Sequence, residues 1–194
     1  MRTPVCIFLG IPGSGKGTQA VRLSEKYNLL HISTGDLLRA LRERTDLSKE
    51  DAEAVSVMNS GGLVPKELIY RLAFTAMREA FSLGMGCVLD GAVRTVEQAE
   101  AYDAFLKEMG KEADTLAMHI HLTDEESIAR LLLRKRGDDT EDIIRSRLVS
   151  QGNATLIPLL SYYKSSGRLV EVEGVATMDQ VESDIAIAYQ NFFA

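Results

Sequence analysis

A glycine-rich segment near the amino end carries the clearest chemistry in this sequence. Residues 10–18 read GIPGSGKGT, so four glycines lie within eight residues and Lys16 stands among them. Glycines let the chain turn so that backbone N–H groups point at phosphate oxygens, and the start of a following helix adds partial positive charge. Lys16 would place a charge on the β- and γ-phosphates, and the Thr18 hydroxyl would lie near Mg²⁺. The segment predicts a nucleotide phosphate site; the alternative is a plain glycine turn.

Two further groups of side chains suit a phosphorylated ligand. Six of the 22 Lys and Arg residues fall between Arg130 and Arg147, and Arg134 would share one helix face with Arg130. A polyanion would compensate this concentration of positive charge, although solvated arginines are the alternative. Asp90 follows the apolar run 87–89. A carboxylate at a strand end can hold Mg²⁺ through its waters, because Mg²⁺ gives up water reluctantly.

Composition excludes several classes of protein. The 194 residues carry a net charge of −6, whereas general nucleic-acid binders are usually basic. No stretch approaches the roughly 20 apolar residues of a membrane-spanning helix, and the amino end lacks a signal-peptide pattern. Cys6 and Cys87 lie far apart in apolar runs and form no zinc signature. We expect a cytoplasmic protein with buried thiols, no zinc, no membrane segment and no nucleic-acid partner.

Short apolar runs alternate with longer helix-patterned segments. The runs are Val5–Leu9, Leu29–Ile32, Cys87–Leu89, Leu116–Leu122 and Arg168–Val172. Continuous apolar strands are typical of a parallel sheet covered on both faces. We predict a three-layer α/β fold: a doubly wound, five-stranded parallel sheet with helices on both faces and ligands at the carboxyl ends of the strands.

The connection between the second and third strands is unusually long. Helical patterns cover residues 35–43, 49–59 and 65–82. One crossover between parallel strands needs only one helix. The extra helices therefore indicate a subdomain that covers a substrate.

The segment after the fourth strand should contain two helices. The first ends near Leu133, and the second starts at Thr140, whose side chain suits a helix cap. This second helix is expected to run to about Tyr163, with a kink or interruption at Pro158.

Four blocks of residues resemble the adenylate kinases. The first is the phosphate loop with its ending Lys-Gly-Thr-Gln at residues 16–19. The others follow in family order: Ser33–Arg39; Asp90 and Gly91 with Arg94, Thr95 and Gln98; and Arg136–Glu141 with Arg145 and Arg147. The resemblance spans nearly the whole chain. It implies a nucleoside monophosphate kinase with a P-loop NTPase-type fold, which moves a phosphoryl group reversibly from Mg-ATP to AMP and gives two ADP.

The resemblance also implies roles for individual residues. ATP would contact Gly13, Ser14, Gly15, Lys16, Gly17, Thr18, Arg130 and Arg134. AMP would contact Thr34, Arg39, Leu63, Val64, Gly91, Arg94, Gln98, Arg136 and Arg147. Catalysis would depend on Lys16, Arg94, Arg130, Arg136 and Arg147. Mg²⁺, the one cofactor implied, would be held by Thr18 and Asp90, mainly through water.

The implied organisation is a single domain, residues 1–194, that acts as a monomer on ATP, AMP and ADP. Residues 33–64 would form an inserted AMP-binding subdomain. Residues 134–140 would form a minimal lid, which is too short for the zinc site of long-lid relatives. So short a lid should leak toward ATP hydrolysis or recruit another surface as cover.

Two positions depart from the family pattern. Gly17 intervenes where P-loops usually place Ser or Thr after the lysine. Ala92 and Val93 replace a Phe-Pro pair before Arg94, so the turn that aims Arg94 must be held another way. Weaker AMP binding or lower turnover is the expected consequence.

Three other functions agree less well with these motifs. A UMP/CMP kinase typically has Ala at position 34 and Asn near position 98, where this chain has Thr and Gln. A nucleotide sensor without turnover would fit Ala92-Val93 and the short lid, but Lys16 and Asp90 are intact. A P-loop ATPase or GTPase needs no acceptor site such as Ser33–Arg39. The phosphate of AMP is already a nucleophile, so no catalytic histidine is expected.

Overall fold

The computed structural model describes residues 2–59, 64–134 and 140–194. Its strands are β1 Val5–Leu9, β2 Leu30–Ser33, β3 Cys87–Asp90, β4 Thr115–His121 and β5 Leu169–Glu173. They form one parallel sheet in the order β2-β3-β1-β4-β5. The predicted α/β fold with a five-stranded parallel sheet is confirmed.

Helices connect the strands on both faces of the sheet. They are α1 Lys16–Tyr27, α2 Thr34–Glu43, α3 Lys49–Asn59, α4 Lys66–Ser82, α5 Val96–Glu108, α6 Asp124–Arg134, α7 Glu141–Gln151, α8 Asn153–Ser165 and α9 Met178–Phe193, with a short 3₁₀ turn at Glu112–Asp114. No helix of the described ranges is long and apolar enough to cross a membrane. The three helices expected between β2 and β3 lie where the sequence pattern places them.

The alternation of side chains along β1 builds two apolar cores. Val5, Ile7 and Leu9 pack on one face with residues of α4, α5 and α8. Cys6 and Phe8 pack on the other face with residues of α1 and α9. Burial on both faces explains why β1 reads as an unbroken apolar run. The Cys6 thiol is buried and free, and burial raises its pKa well above the ordinary range.

The strand register brings three chain segments to one edge of the sheet. Asp90 pairs with Phe8 of β1 on one side and with Ser33 of β2 on the other. Because parallel strands end at the same edge, the phosphate loop after β1 and the helix after β2 start beside Asp90.

The expectation of one long helix after residue 140 is wrong. The segment is divided into α7 and α8 at Gly152, which is extended at φ −81° and ψ −177°. Pro158 lies inside α8 without interrupting it. Thr140 does occupy the cap position of α7, but its side chain makes no capping hydrogen bond.

A third apolar cluster lies apart from the two cores of the sheet. It is centred on Leu41 of α2, Ala54 of α3 and Leu68 of α4, with Val64 packed against it. The helices between β2 and β3 therefore share a small core of their own.

Candidate active site

The phosphate loop connects β1 to α1 through glycines in conformations that other residues avoid. Gly13 and Gly15 have φ of 81° and 90°. A Cβ on Gly10 would lie 2.6 Å from the Ser14 Oγ and 2.9 Å from the Ile120 backbone oxygen. Gly15 caps α1 without a side-chain hydrogen bond. The first turn of α1 therefore keeps its N–H groups for another acceptor, as phosphate binding requires.

Helix α6 packs directly on this loop. The Ser127 hydroxyl donates a hydrogen bond of 2.6 Å to the backbone oxygen of Pro12. A Cβ on Gly13 would lie 3.2 Å from Leu131 Cγ and 3.2 Å from the Ser127 backbone oxygen. Gly13 is thus required by its backbone angle and by the closeness of α6.

A cleft of about 700 Å³ lies over the carboxyl edge of the sheet. Most of the predicted site residues line it together: Gly13, Gly15, Lys16, Gly17, Thr18, Thr34, Arg39, Asp90, Gly91, Arg94, Arg130 and Arg134. Ser14 lies beneath this surface, and its buried hydroxyl has no hydrogen-bond partner among the described residues. The phosphate loop and the expected acceptor residues therefore face one continuous space.

Lys16 is held at the floor of the cleft. Its Nζ donates to the backbone oxygen of Ile11 at 3.2 Å. Burial lowers the pKa of Lys16; Asp90 opposes this shift, while the positive charges of Arg94 and Arg134 add to it. The ammonium group has lost water without gaining enough negative charge, which favours the binding of a phosphate.

Asp90 and Thr18 offer oxygen ligands in the same cleft. A Cβ on Gly17 would lie 3.1 Å from Asp90 Oδ2, so the carboxylate approaches the loop closely where the usual Ser or Thr would stand. No cluster of three or more metal-ligating side chains occurs in the part of the chain described. One carboxylate and one hydroxyl nevertheless suit Mg²⁺, because Mg²⁺ keeps several waters and shares phosphate oxygens.

The amino end of α2 forms the opposite wall. The Ser33 hydroxyl accepts a hydrogen bond from the Asp36 N–H at 3.4 Å and so caps the helix. Arg39 forms an ion pair with Asp36, and this pairing lowers the pKa of the Asp36 carboxyl. The buried Thr34 hydroxyl has no hydrogen-bond partner within the described ranges. This wall thus offers an arginine and an unsatisfied hydroxyl.

The loop that carries Arg94 is held by its own hydrogen bonds. The Arg94 N–H donates to Gln98 Oε1 at 2.7 Å, and Arg94 Nε donates to the backbone oxygen of Gly91 at 3.2 Å. Ala92 and Val93 are each 3% exposed and pack into the core. These contacts hold the turn at the position where the adenylate kinase pattern has Phe-Pro. Gln98 also faces a second cavity of about 310 Å³ beside α7 and α8.

The arginines of α6 and α7 are placed differently. Arg130 lines the cleft, and its Nη2 donates to the backbone oxygen of Gly174 at 2.7 Å. Arg147, on α7, is not among the described residues that line either cavity. The predicted site residues Leu63 and Arg136 lie outside the described residues, as does most of the expected lid.

The family profile described as Adenylate kinase matches residues 8–168. The chain belongs to the adenylate kinase family. An adenylate kinase of Phocaeicola vulgatus is 38% identical over 189 residues, which cover 95% of this chain and 97% of that protein. An adenylate kinase of Leptospira biflexa is 40% identical over 184 residues, 92% and 96% of the two chains. One from Nocardia farcinica is 42% identical over 176 residues, 90% and 93% of the two chains.

Several residues without a role implied by the sequence also contribute to the site of this adenylate kinase family member, and three of them make specific contacts. His31 lines the cleft, with its Nε2 4.0 Å from Asp90 Oδ2. Asp36 pairs with Arg39, and Ser127 anchors the phosphate loop. The strand order explains His31, because β2 lies beside β3. A single serine in a helix gives no comparable signal in the sequence.

Proposed function

We propose that this enzyme transfers a phosphoryl group reversibly between Mg-ATP and AMP, giving two ADP. The observation that carries the proposal is the single cleft that Lys16 and Thr18 share with Thr34, Arg39 and Arg94. A donor phosphate site and an acceptor phosphate site in one space are what transfer between two nucleotides requires. Membership of the adenylate kinase family supports the same reaction.

The donor half of the reaction belongs to the phosphate loop and α6. Backbone N–H groups of the loop and the Lys16 ammonium bind the β- and γ-phosphates, while Arg130 and Arg134 add positive charge from the other side. Thr18 and Asp90 would hold Mg²⁺, and the ion would supply further neutralisation of phosphate charge. These groups stabilise the charge that moves to the leaving oxygen.

The acceptor half belongs to α2 and the Arg94 loop. Arg39 and Arg94 bind the AMP phosphate, and the family pattern assigns Thr34, Val64 and Gln98 to the base. An AMP phosphate oxygen forms a new bond to the γ-phosphorus as the bond from that phosphorus to the β–γ bridging oxygen breaks. ADP leaves with the bridging oxygen, and no general base is needed.

Three features of the enzyme extend this proposal. Residues 33–64 act as the AMP-binding subdomain, which is supported by the separate apolar cluster of α2, α3 and α4. Residues 134–140 act as a minimal lid, with Leu63 and Arg136 contributing as the family pattern implies. The enzyme acts in the cytoplasm as a monomer. Light scattering on the purified protein would test the monomeric state.

An ADP-formation assay tests the reaction and the acceptor. Wild type is assayed with Mg-ATP and AMP, CMP, UMP or GMP, beside Lys16→Met and the control Lys26→Met, an exposed lysine on the same helix. We expect turnover with AMP, a fall of about 10²–10³-fold in Lys16→Met, and no more than about a twofold change in Lys26→Met. Preference for CMP or UMP would overturn the acceptor assignment. Measurable ATP binding without turnover would favour a sensor.

A further inference from the structure

The carbonyl groups of the phosphate loop need partners that keep them away from the ligand. A loop that binds phosphate through N–H groups is repelled by any carbonyl oxygen turned toward the same space. Ile11 O accepts hydrogen bonds from Ser14 N and from Lys16 Nζ, each at 3.2 Å. Pro12 O accepts its hydrogen bond from outside the loop, from the Ser127 hydroxyl at 2.6 Å.

This contact fixes the orientation of one peptide unit. The carbonyl of Pro12 and the N–H of Gly13 belong to the same planar trans peptide and point in opposite directions. With the carbonyl bound to α6, the Gly13 N–H is turned away from α6, and Gly13 itself lines the cleft. Glycine resists rotation of this peptide less than any other residue would, because it has no Cβ.

The Ser127 side chain also connects the phosphate loop to α6, the helix that carries Arg130 and Arg134. Ser127 is fully buried and lies one turn before Arg130, with Arg134 a further turn along α6. The 2.6 Å contact therefore sets the position of these arginines relative to the loop. A hydroxyl in this position acts on both groups that hold the donor phosphates.

We propose that Ser127 is a positioning residue for the donor nucleotide, which locks the Pro12–Gly13 peptide with its N–H toward the phosphates. The proposal rests on the proposed function only in taking ATP as the donor. It places Ser127 outside direct contact with substrate. Loss of the hydroxyl should weaken ATP binding selectively, because the hydrogen bond of Ser127 goes to the phosphate loop and not to α2 or the Arg94 loop.

The test compares Ser127→Ala and Ser127→Cys with a buried hydroxyl remote from the cleft. Thr115 is the matched control, because it is also fully buried and its Oγ1 donates to the backbone oxygen of Lys111 at 2.9 Å. The dissociation constant of ATP is measured by calorimetry without AMP. KM for both substrates, kcat and the melting temperature are measured on the same samples.

We expect Ser127→Ala to raise the ATP dissociation constant and the KM for ATP roughly threefold to tenfold, the value of one hydrogen bond. KM for AMP should change less than about twofold. Ser127→Cys should fall between wild type and Ser127→Ala, because a thiol is a weak donor. Thr115→Val should lower the melting temperature by about as much as Ser127→Ala, about 2–4 °C, with ATP binding unchanged.

Two outcomes would overturn the inference. One is equal ATP affinity in wild type and Ser127→Ala; the other is an equal loss of affinity in Thr115→Val, which would indicate a purely structural effect. Because ATP binding is measured without an acceptor, the result does not depend on AMP turnover. Wild type that binds ATP but does not phosphorylate AMP would reject the proposed reaction and leave the role of Ser127 open to the same measurement.

Discussion

Lys16 shows how one residue can serve binding at the expense of folding. Its side chain is partly buried at the floor of the cleft, and burial lowers the pKa of its ammonium group. The folded chain therefore binds this proton less tightly than the unfolded chain, whose lysine keeps its ordinary value. Below the lowered pKa the whole cost of burying the charge is present, and stability rises with pH between the lowered value and the ordinary value. The bound phosphates would compensate this cost.

We predict that Lys16→Met melts at a higher temperature than wild type in the absence of nucleotide. At pH 7 the substitution removes the buried charge and keeps an apolar stem, so the melting temperature should rise by at least about 2 °C. The difference should shrink as the pH rises toward 10.5, because wild-type lysine then loses its charge as well.

Scanning calorimetry from pH 7 to pH 10, with and without ATP, checks this prediction. ATP should stabilise wild type and leave Lys16→Met nearly unchanged. Lys26→Met, in which an exposed lysine is lost, should follow wild type at every pH. A lower melting temperature for nucleotide-free Lys16→Met at pH 7 would contradict the account of the buried charge.

The sequence predicts the structural position of some site residues and not of others. The phosphate loop is readable because its glycines and Lys16 follow a short apolar strand at close spacing. The sequence does not predict the hydrogen bond between the Gln98 side chain and the Arg94 N–H. This bond depends on how Ala92 and Val93 pack in the core.

For the helices and strands, the sequence pattern predicts the positions of helices better than the breaks between them. The bounds of α2, α3 and α4 lie within about one residue of the ranges that the sequence pattern predicts. The sequence does not predict the break at Gly152, because Pro158 is the residue that would ordinarily be expected to interrupt a helix. A Cβ on Gly152 would lie 2.3 Å from the Leu148 backbone oxygen, so the break depends on the close approach of Gly152 to the last turn of α7.

Three elements are joined by an ion pair that periodicity gave no means to predict. Asp103 of α5 accepts hydrogen bonds from Arg168, just before β5, at 2.9 and 2.5 Å, and from Tyr162 of α8 at 2.8 Å. The pair is 65 residues apart in sequence, and both side chains are about one-tenth exposed. The Asp103 carboxylate raises the pKa of Arg168 chiefly by accepting its hydrogen bonds.

We predict that Arg168→Met destabilises the protein by about 3–5 kcal/mol, because it leaves the Asp103 carboxylate buried without its counter-ion. Replacing both partners, as Asp103→Leu with Arg168→Met, should cost less than the single change, since no buried charge remains. The exposed pair of Arg44 and Asp46 supplies the control: Arg44→Met should change stability by no more than about 1 kcal/mol.

Urea unfolding of the three variants measures these differences. A double variant less stable than Arg168→Met alone would contradict this prediction, because it would show that Asp103 stabilises the fold even without its counter-ion. In that case the hydrogen bond from Tyr162 of α8 to Asp103 of α5 would outweigh the cost of burying an unpaired carboxylate.

The two apolar cores of the sheet are larger than the cluster of α2, α3 and α4. This difference agrees with the separate donor and acceptor regions proposed for the site. The two faces of the sheet bury most of the described apolar side chains. Among the described residues, the cluster of α2, α3 and α4 is centred on three buried side chains. Regions with few buried contacts open at lower free energy than the core of a domain. We therefore expect the wall of the cleft formed by α2, which contains Arg39, to open more readily than the sheet.

We predict that AMP slows amide hydrogen exchange in Thr34–Glu43 and Lys49–Asn59 far more than in Met178–Phe193. Without ligand, the first two helices should exchange faster than the strands of the sheet, because their small core opens without global unfolding. AMP at 100 times its dissociation constant should slow their exchange by up to about 100-fold, since binding stabilises only the closed form. CMP at the same concentration serves as the control ligand. Equal slowing in Met178–Phe193 would mean that AMP stabilises the whole fold at once, and the small core would then not be a separate unit that closes on the acceptor.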